Sequence, residues 1–537
     1  MFIDLDRMGG TLSAKADACI VGGGAAGISI AKTLLDAGWT ICLLEAGGLA
    51  FEKQQQNHLE GESVGEPVRI AEGRYRQLGG ATAYWTGRCA ELDPIDFESR
   101  GWIEDSGWPI EYAELEPYYR RAEAMCGFGE AWTNGAARLT KLRGVGNWDA
   151  GVDPFLWRFA PTRRNAYQNW ATRFRATLER SGRAQVMLHA CLTAIEQAPG
   201  RTAIDALVAR SLHGASVRVE AKHYILCCGG IENARLLLNA VRCSEGSLRG
   251  IEDSVGRWFM QHPRAHVADI VAPGREAQLQ HLFNRFTVRN GTEYETGFAL
   301  SNALQRQEHL LNASAVLRYA PPAHSLRGAI SDWRRNRSWR GIEFIPGRPR
   351  LDTSVALARD ALRWAAGRHP ILQSPRIQLI TDLEQLPNRA SRVVLSDQPD
   401  AFGLHRARLD WRIAPLERHT SARLVKSVSQ WMSTYGLGTV EPVTGLDEHG
   451  GLTPTHMLES YHHIGGTRMS ANRDHGVVDR DCKLHGVDNL HVCGASVMPT
   501  GGHANPTFTI TALALRLAEH LDLSLRRSAN WRSAAAP

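Results

Sequence analysis

The chain has 537 residues, of which 43 % are hydrophobic, and it carries a formal net charge of +6. This length allows a large core and more than one domain, and so mild a charge does not indicate a nucleic-acid partner. No apolar run approaches the roughly 18–20 residues of a membrane span, and the N-terminus is not typical of a secretory signal. We therefore expect a cytoplasmic protein without an integral membrane segment.

The ten cysteines are scattered and form no C-x-x-C pair. This spacing argues against zinc ribbons, iron–sulfur clusters and covalent c-type haem. Cys227 and Cys228 are neighbours in a strand-like run, where consecutive side chains face opposite ways, so core thiols are expected rather than a disulfide. The histidines near the C-terminus have no acidic or cysteine ligand at metal spacing, so no metal site is predicted.

The first predicted unit is a strand, a glycine turn and a helix. An apolar run at 18–21 leads to Gly22, Gly24 and Gly27, and the apolar spacing of 28–35 predicts a helix. Such a turn lets a pyrophosphate approach the main chain, and the helix N-terminus offers free N–H groups to it. A second strand ends at Glu45, where an acid would bind a ribose hydroxyl. The unit predicts dinucleotide binding but does not separate FAD from NAD.

Two further glycine turns follow along the chain. Gly79 and Gly80 precede small residues and Trp85, which suits a loop laid flat against a planar ligand. Strands are predicted at 185–188, 206–209, 217–219 and 224–227. The last of these is followed by Gly229 and an amphipathic helix, which is typical either of a phosphate-binding turn or of an ordinary strand-to-helix connection.

From about residue 265 the composition changes, which indicates a second domain reaching to about 455. Within it, residues 327–350 are rich in Arg and Trp, and the spacing at 353–367 predicts an amphipathic helix. A basic helix of this kind contacts a membrane or a partner, or is simply a solvated surface helix. The C-terminal part contains His462 and His463, a predicted strand at 490–493, a glycine-rich turn and a predicted helix at 507–521. A loose tail is expected at 526–537.

Together these pieces resemble the glucose–methanol–choline (GMC) oxidoreductases, which are FAD enzymes, over nearly the whole chain. The matching segments are the N-terminal turn with Glu45 and residues 79–85, 228–237, 255–257, 261–263, 384–393, 463–469 and 494–506. Trp85-Thr86 and the C-terminal segment with His463 and Asn505 are most similar to the pyranose-oxidase-like and sugar-dehydrogenase branch of the family.

The resemblance implies an α/β fold in which a Rossmann-like FAD-binding domain is built from discontinuous segments, 1–264 and 455–525. An α+β substrate-binding domain with an antiparallel sheet would occupy 265–454, with part of its lid near 100–180. Implied FAD contacts are Gly22, Gly24, Ala26, Gly27, Glu45, Gly79, Gly80, Ala81, Tyr84, Trp85, Thr86, Leu192, Gly229, Gly494, Ala495, Asn505 and Thr507. Tyr84 stands where some pyranose oxidases carry a flavin-linking histidine, so noncovalent FAD is expected.

The resemblance also places a catalytic histidine at His463, in the pattern H-x-x-G-T, and its partner at Asn505. Alcohol oxidation removes a hydroxyl proton and a hydride from one carbon. Imidazole suits the proton, and flavin N5 takes the hydride. A neutral amide beside the base can orient the hydroxyl. His462 and His503 are the alternative bases.

The leading hypothesis is an FAD-dependent oxidoreductase that converts a CH–OH group of a sugar, glycoside or other alcohol to a carbonyl. Its electron acceptor would be oxygen, a quinone or a redox protein. One alternative is a GMC-fold dehydrogenase docked to a membrane or redox partner through residues 327–350. Another is a non-redox flavin-binding lyase. An NAD dehydrogenase would leave the C-terminal motifs unexplained.

Overall fold

The computed structural model describes residues 1–128, 148, 151–161, 169–244, 246–287, 292–320, 372, 375–443, 457–458 and 460–534. The predicted Arg/Trp-rich stretch at 327–350 and the predicted helix at 353–367 lie outside these residues. Among the described residues, no helix is both long enough and apolar enough to cross a membrane.

The strands are numbered in chain order. They are β1 Phe2–Asp4, β2 Thr11–Val21, β3 Ile41–Leu44, β4 Glu62–Gly65, β5 Arg88–Cys89, β6 Val152–Phe159, β7 Ala184–Leu188, β8 Cys191–Glu196, β9 Ala206–Arg210, β10 Ser216–Leu226, β11 Arg264–Val271, β12 Arg285–Thr287, β13 Glu293–Leu300, β14 Ala313–Ala320, β15 Arg376–Leu383, β16 Arg392–Pro399, β17 His405–Trp411, β18 Thr439–Pro442, β19 Met457–Leu458 and β20 Leu490–Val492.

The α-helices are numbered in the same way. They are α1 Ala25–Asp36, α2 Lys53–Gln56, α3 Pro94–Phe97, α4 Tyr112–Cys126, α5 Trp170–Arg180, α6 Gly230–Cys243, α7 Glu276–Phe283, α8 Asn302–Glu308, α9 Pro415–Thr434 and α10 Thr507–Ala534.

The first sheet has the order β1-β7-β3-β2-β10-β9-β8, and β20 also pairs with β10. The pairs from β1 to β10 and the β10–β20 pair are parallel, whereas β9 and β8 add an antiparallel edge. Strands far apart in sequence therefore share one sheet. Helices α1 and α10 pack on it, and the Trp39 indole N–H donates to Asp522 of α10 at 3.0 Å.

The second sheet is antiparallel, with the order β18-β11-β15-β14-β13-β6-β5 and with β12 and β19 paired at its sides. Helix α9 covers it, because its buried residues Leu424, Val428 and Trp431 join the apolar side chains of the sheet in one core. The helix starts at Pro415, whose ring fixes φ at a helical value. The Glu417 carboxylate accepts the Ala414 N–H at 3.1 Å and so caps the first turn. A third, three-stranded sheet has the order β16-β17-β4.

The predicted fold class is confirmed: one mostly parallel sheet from discontinuous segments accompanies an antiparallel sheet. The domain boundaries stay a prediction. Two element boundaries were wrong. The separate strands predicted at 217–219 and 224–227 are one strand, β10, because the polar residues between them continue the pairing of β10 with β2. The last helix continues past the predicted end at 521, to Ala534, through residues predicted as a tail.

Candidate active site

Three glycine turns lie at one edge of the parallel sheet. Strands β2, β10 and β20 are neighbours, and the main chain continues their pairing past the strand ends. The Cys227 N–H donates to the Val21 carbonyl at 2.7 Å, and the Cys493 N–H donates to the Leu226 carbonyl at 2.9 Å. Because the carboxyl ends of parallel strands meet at one edge, the turns at 22–24, 229–230 and 494 lie together, where open α/β sheets bind ligands.

The first turn combines close packing with open space. Gly22 has φ +98°, and a Cβ there would lie 2.6 Å from the Cys227 carbonyl oxygen, while a Cβ on Gly27 would lie 1.9 Å from the Gly22 oxygen. By contrast, a Cβ on Gly24 would meet no protein atom within 4 Å. Gly24 begins α1 without a side-chain cap, and the next turn carries no acid. Ala26 is buried just behind it. The open helix N-terminus suits an anionic group.

Glu45 reaches back to this turn. Its carboxylate accepts the Gly23 N–H at 2.8 Å and the Gly47 N–H at 2.9 Å, and only 5 % of the residue is exposed. Burial raises the pKa of Glu45, although these two hydrogen bonds oppose the shift. The carboxylate is thus held beside the glycine turn, where the sequence predicts the acid that binds ribose.

The predicted ring-binding loop also packs on the first turn. The Gly79 N–H donates to the Gly23 carbonyl at 2.7 Å, and a Cβ on Gly80 would lie 3.1 Å from the Gly24 Cα. A 3-10 turn, Gly80–Ala83, follows. The turn and the residues after it present exposed or half-exposed side chains, namely Ala81, Tyr84, Trp85 and Thr86.

The remaining predicted cofactor residues occupy the other two turns and the sheet edge. Gly229, with φ +88°, begins α6, and a Cβ there would meet nothing within 4 Å. Gly494 has φ +134°, Ala495 is buried after it, and Thr507 begins α10. Leu192 lies in β8 and lines a cavity of about 340 Å³ together with residues of α6.

His462, rather than His463, contacts Asn505. The Asn505 side-chain nitrogen lies 3.1 Å from His462 Nε2, and His462 Nδ1 lies 2.9 Å from His262 Nδ1. Main-chain pairing explains this: Met260 and Ile464 exchange N–H···O bonds of 2.8 and 2.9 Å, which brings the two segments side by side. Burial, followed by the charges of His262 and Arg264, lowers the pKa of His462 well below its ordinary value.

The side chains of His463 and Asn505 share no hydrogen bond in the described part of the chain. The His463 ring lies 6.0 Å from the Phe259 ring, and its Nε2 has no hydrogen-bond partner among the described residues. Its backbone and Cβ press against Gly230, where an added Cβ would lie 2.2 Å from the His463 carbonyl oxygen. Burial and then the charge of Arg74 lower the pKa of His463 to about 3.

His503 is paired with an acid. Its Nε2 lies 3.4 Å from the Asp93 carboxylate, and its ring packs edge-on against Phe155. Burial alone would lower the pKa of His503, but the hydrogen bond and charge of Asp93 outweigh it and raise the pKa. His503 Nε2 is thus occupied by Asp93, and its Nδ1 has no hydrogen-bond partner among the described residues.

Buried charges surround the His462 pair. Asp382 accepts from Arg88 at 2.9 Å and from Arg264 at 2.6 Å, and the Arg88 guanidinium lies 4.1 Å above the Trp157 ring. Among the described residues, Arg88 Nη2 and Trp157 Nε1 have no hydrogen-bond partner although both are buried. No group of three or more His, Cys, Asp or Glu in the described ranges could hold a metal ion.

Sequence reasoning named His462 only as an alternative base and did not single out His262, Arg88 or Asp382, which lie beside it. A signal existed for His462, since the shorter pattern H-x-x-G fits both adjacent histidines, with Gly466 in place of the threonine when it starts at His462. Neighbouring side chains leave the backbone in different directions, so only one of them can face Asn505. The sequence has no means of choosing, because the choice depends on how residues 260 and 464 pair.

Comparisons with known proteins bear on the family, the fold and the cofactor. A family profile described as "FAD dependent oxidoreductase" matches residues 17–380, and one described as "GMC oxidoreductase" matches residues 387–514. The chain is 23 % identical to 2-methyl-1,2-propanediol dehydrogenase of Mycolicibacterium austroafricanum, covering 95 % of this chain and 96 % of that protein.

Two further relatives have similar coverage. The 6'''-hydroxyparomomycin C oxidase of Streptomyces lividus is 24 % identical, covering 95 % of this chain and 93 % of the relative. The fructose dehydrogenase large subunit of Gluconobacter japonicus is 23 % identical, covering 94 % and 97 %. A solved structure of formate oxidase from Aspergillus oryzae RIB40 has the same fold, with a TM-score of 0.55 and 15 % identity over 96 % of this chain and 99 % of that one.

Proposed function

The chain belongs to the GMC family of FAD-dependent oxidoreductases, and on that premise we propose that it oxidises a CH–OH group to a carbonyl with His462 as the proton acceptor. The observation that carries the assignment is the 3.1 Å contact between His462 Nε2 and the Asn505 amide. The proposal replaces His463, which the motif pattern favours, with its neighbour.

The residues of the three turns fit FAD. The space in front of Gly24, at an uncapped helix N-terminus, suits the pyrophosphate, and the Glu45 carboxylate beside it suits a ribose diol. When bound, FAD supplies the oxidant, since its isoalloxazine ring takes the hydride from the carbinol carbon. The loop at 79–86 would lie against that ring, and the turn at 494–495 would close the site from the C-terminal side.

The chain itself supplies the base and the orientation. As the C–H bond breaks and the C=O bond forms, the hydroxyl proton passes to Nε2 of His462. A low pKa keeps this imidazole neutral at neutral pH, so its lone pair is available. The Asn505 amide beside the same nitrogen can hold the substrate oxygen through its remaining N–H or carbonyl group. Nearby Asp382 offsets part of the positive charge that forms.

For the substrate we propose a polyhydroxylated small molecule: a sugar, a glycoside or a diol. The names of the relatives support this class, since they include a fructose dehydrogenase large subunit and a propanediol dehydrogenase. The structure supports it through Arg88 Nη2 and Trp157 Nε1, buried donors without partners among the described residues. Hydroxyl oxygens would accept from such donors, which are costly to leave unsatisfied.

The test is an anaerobic spectrum of purified holoenzyme during addition of sugars, glycosides, diols and simple alcohols, repeated with two single variants. His462→Ala should keep the flavin spectrum and slow flavin reduction by about 10²–10⁴-fold, as expected for a lost general base. His463→Ala with full FAD content should reduce its flavin much faster than His462→Ala. The reverse order would return the role to His463.

The same experiment separates the alternatives. Flavin that no alcohol bleaches would favour the non-redox lyase. Bleaching followed by rapid recolouring in air would identify an oxidase, and slow recolouring would identify a dehydrogenase that uses a quinone or a redox protein. A cytoplasmic location is our further proposal, supported by the ten cysteines, all of which are free thiols. Cell fractionation tests it.

A further inference from the structure

Two buried imidazoles share a hydrogen bond next to the proposed base. His262 and His462 meet through their Nδ1 atoms at 2.9 Å, with the rings nearly perpendicular at 80°. The far nitrogen of His262, Nε2, lies 3.1 Å from the Gly501 carbonyl oxygen, and the far nitrogen of His462 faces Asn505. Four groups thus form one chain of hydrogen bonds.

The direction of this chain follows from its first member. A carbonyl oxygen only accepts, so His262 Nε2 must carry a hydrogen and donate it to Gly501. His262 is 1 % exposed and, like His462, is held neutral by burial, with its pKa lowered to about 4. A neutral imidazole has a single N–H, so His262 Nδ1 is an acceptor and the shared hydrogen belongs to His462 Nδ1. His462 Nε2 is then left with its lone pair.

We propose that His262 is a positioning residue that holds His462 in the Nδ1–H tautomer, so that Nε2 is free to take the substrate proton. The inference rests on the proposed role of His462. Asn505 cannot do this alone, because an amide that turns over presents its oxygen instead of its nitrogen and would accept from an Nε2–H. Only the Gly501 carbonyl gives the chain a fixed direction.

The backbone enforces this contact. A Cβ on Gly501 would lie 3.1 Å from His262 Nε2 and 2.9 Å from Ile464, so glycine lets the carbonyl and the ring stay in contact. The charged or titratable groups that act on the pair are Arg88, Arg264, Asp382 and His503. Arg88 and Arg264 are both bound to Asp382, so the positive charges near the imidazoles are partly compensated.

Three variants of the holoenzyme test the proposal. His262→Phe removes both hydrogen bonds, and His262→Gln keeps a donor that can reach Gly501 but places no acceptor at the Nδ1 position. His262→Asn places an acceptor there. We expect the His262→Phe and His262→Gln variants to reduce their flavin about 10–10³-fold more slowly, while substrate binding and FAD content stay unchanged. The His262→Asn variant should recover part of the rate. Reduction at the normal rate in Phe and Gln would overturn the proposal.

Two readouts distinguish positioning from a merely structural role. In the His462→Ala background, His262→Phe should slow reduction no further, whereas an independent structural effect would add to the loss. Solid-state ¹⁵N NMR of histidine-labelled holoenzyme should show His462 with a protonated Nδ1, and this pattern should change in His262→Gln. An Nε2–H tautomer in the wild type would overturn the inference.

These outcomes are separable from the failure of the proposed function. If His462→Ala reduces flavin at the normal rate, the assignment of the base itself falls. If His462→Ala is slow and the His262 variants are normal, only the positioning role falls. Should His262→Phe fail to fold, His262→Gln carries the same test, because it keeps the Gly501 hydrogen bond.

Discussion

Two glycines of the N-terminal turn should fail in different ways when a side chain is added. A Cβ on Gly27 would lie 1.9 Å from the Gly22 carbonyl oxygen, whereas real Cβ atoms essentially never approach closer than 3.0 Å. A Cβ on Gly24 would meet no protein atom within 4 Å. The first position is closed by the protein itself, and the second faces the space that we assign to the pyrophosphate.

Gly27→Ala must push helix α1 away from the turn by about 1.1 Å, which is the difference between the 3.0 Å limit and the 1.9 Å contact with the Gly22 oxygen. Overpacking of this kind costs about 1–3 kcal/mol, so the apoprotein itself should lose that much free energy of unfolding. Gly24 has φ −83° and ψ −163°, which any residue adopts. Gly24→Ala should therefore cost the apoprotein under about 1 kcal/mol. Gly24→Val should nevertheless block FAD loading, because its side chain fills the phosphate space.

The assay uses apoprotein from which FAD has been stripped. Denaturant unfolding gives the stability of each variant, and titration with FAD, followed by flavin fluorescence and the absorbance ratio at saturation, gives the affinity. The expected pattern is stable apoprotein without FAD for Gly24→Val, and unstable apoprotein for Gly27→Ala. A fully loaded, yellow Gly24→Val protein, or Gly27→Ala apoprotein as stable as the wild type, would refute the reasoning.

Three further predictions concern buried charges and thiols. Arg100→Met leaves the buried carboxylate of Glu384 without the guanidinium 2.8 Å away, so urea unfolding should show a loss of about 3–5 kcal/mol, and an unchanged midpoint contradicts this. Burial would raise the pKa of Asp382, but the charges of Arg264 and Arg88 outweigh burial and hold the pKa well below its ordinary value. Asp382 therefore stabilises the folded protein above about pH 4, and this stabilisation is lost as the pH falls towards the folded-state pKa. Asp382→Asn should flatten the acid limb of the stability–pH curve, whereas Asp36→Asn, in an exposed helix pair, should change stability by less than about 0.5 kcal/mol; similar curves for the two variants would contradict this. Cys243 is the one exposed cysteine of the ten, so a thiol reagent should label one site rapidly under native conditions and none in Cys243→Ser.

The dinucleotide turn could be predicted from sequence because all its requirements are local. A strand, glycines at fixed spacing and a helix occupy one continuous stretch, and Glu45 follows at the end of the next strand. The structure places the Glu45 carboxylate on the Gly23 N–H, beside that turn. The positive φ of Gly22 and the contact of Gly27 with the Gly22 carbonyl both arise within this stretch, although Gly22 also packs against the distant Cys227 carbonyl.

The group of His262, His462 and Asn505, to which we assign the proposed base, could not be predicted in the same way, because it is assembled from three distant segments. His262, His462 and Asn505 meet only after Met260 pairs with Ile464 and the C-terminal turn closes over both. The family resemblance of the sequence implied that a histidine near 462–463 and an amide at 505 belong to one site. Which histidine faces the amide, and which nitrogen keeps its lone pair, was decided by tertiary hydrogen bonds. Adjacent residues with the same side chain differ only in the direction that the folded backbone gives them.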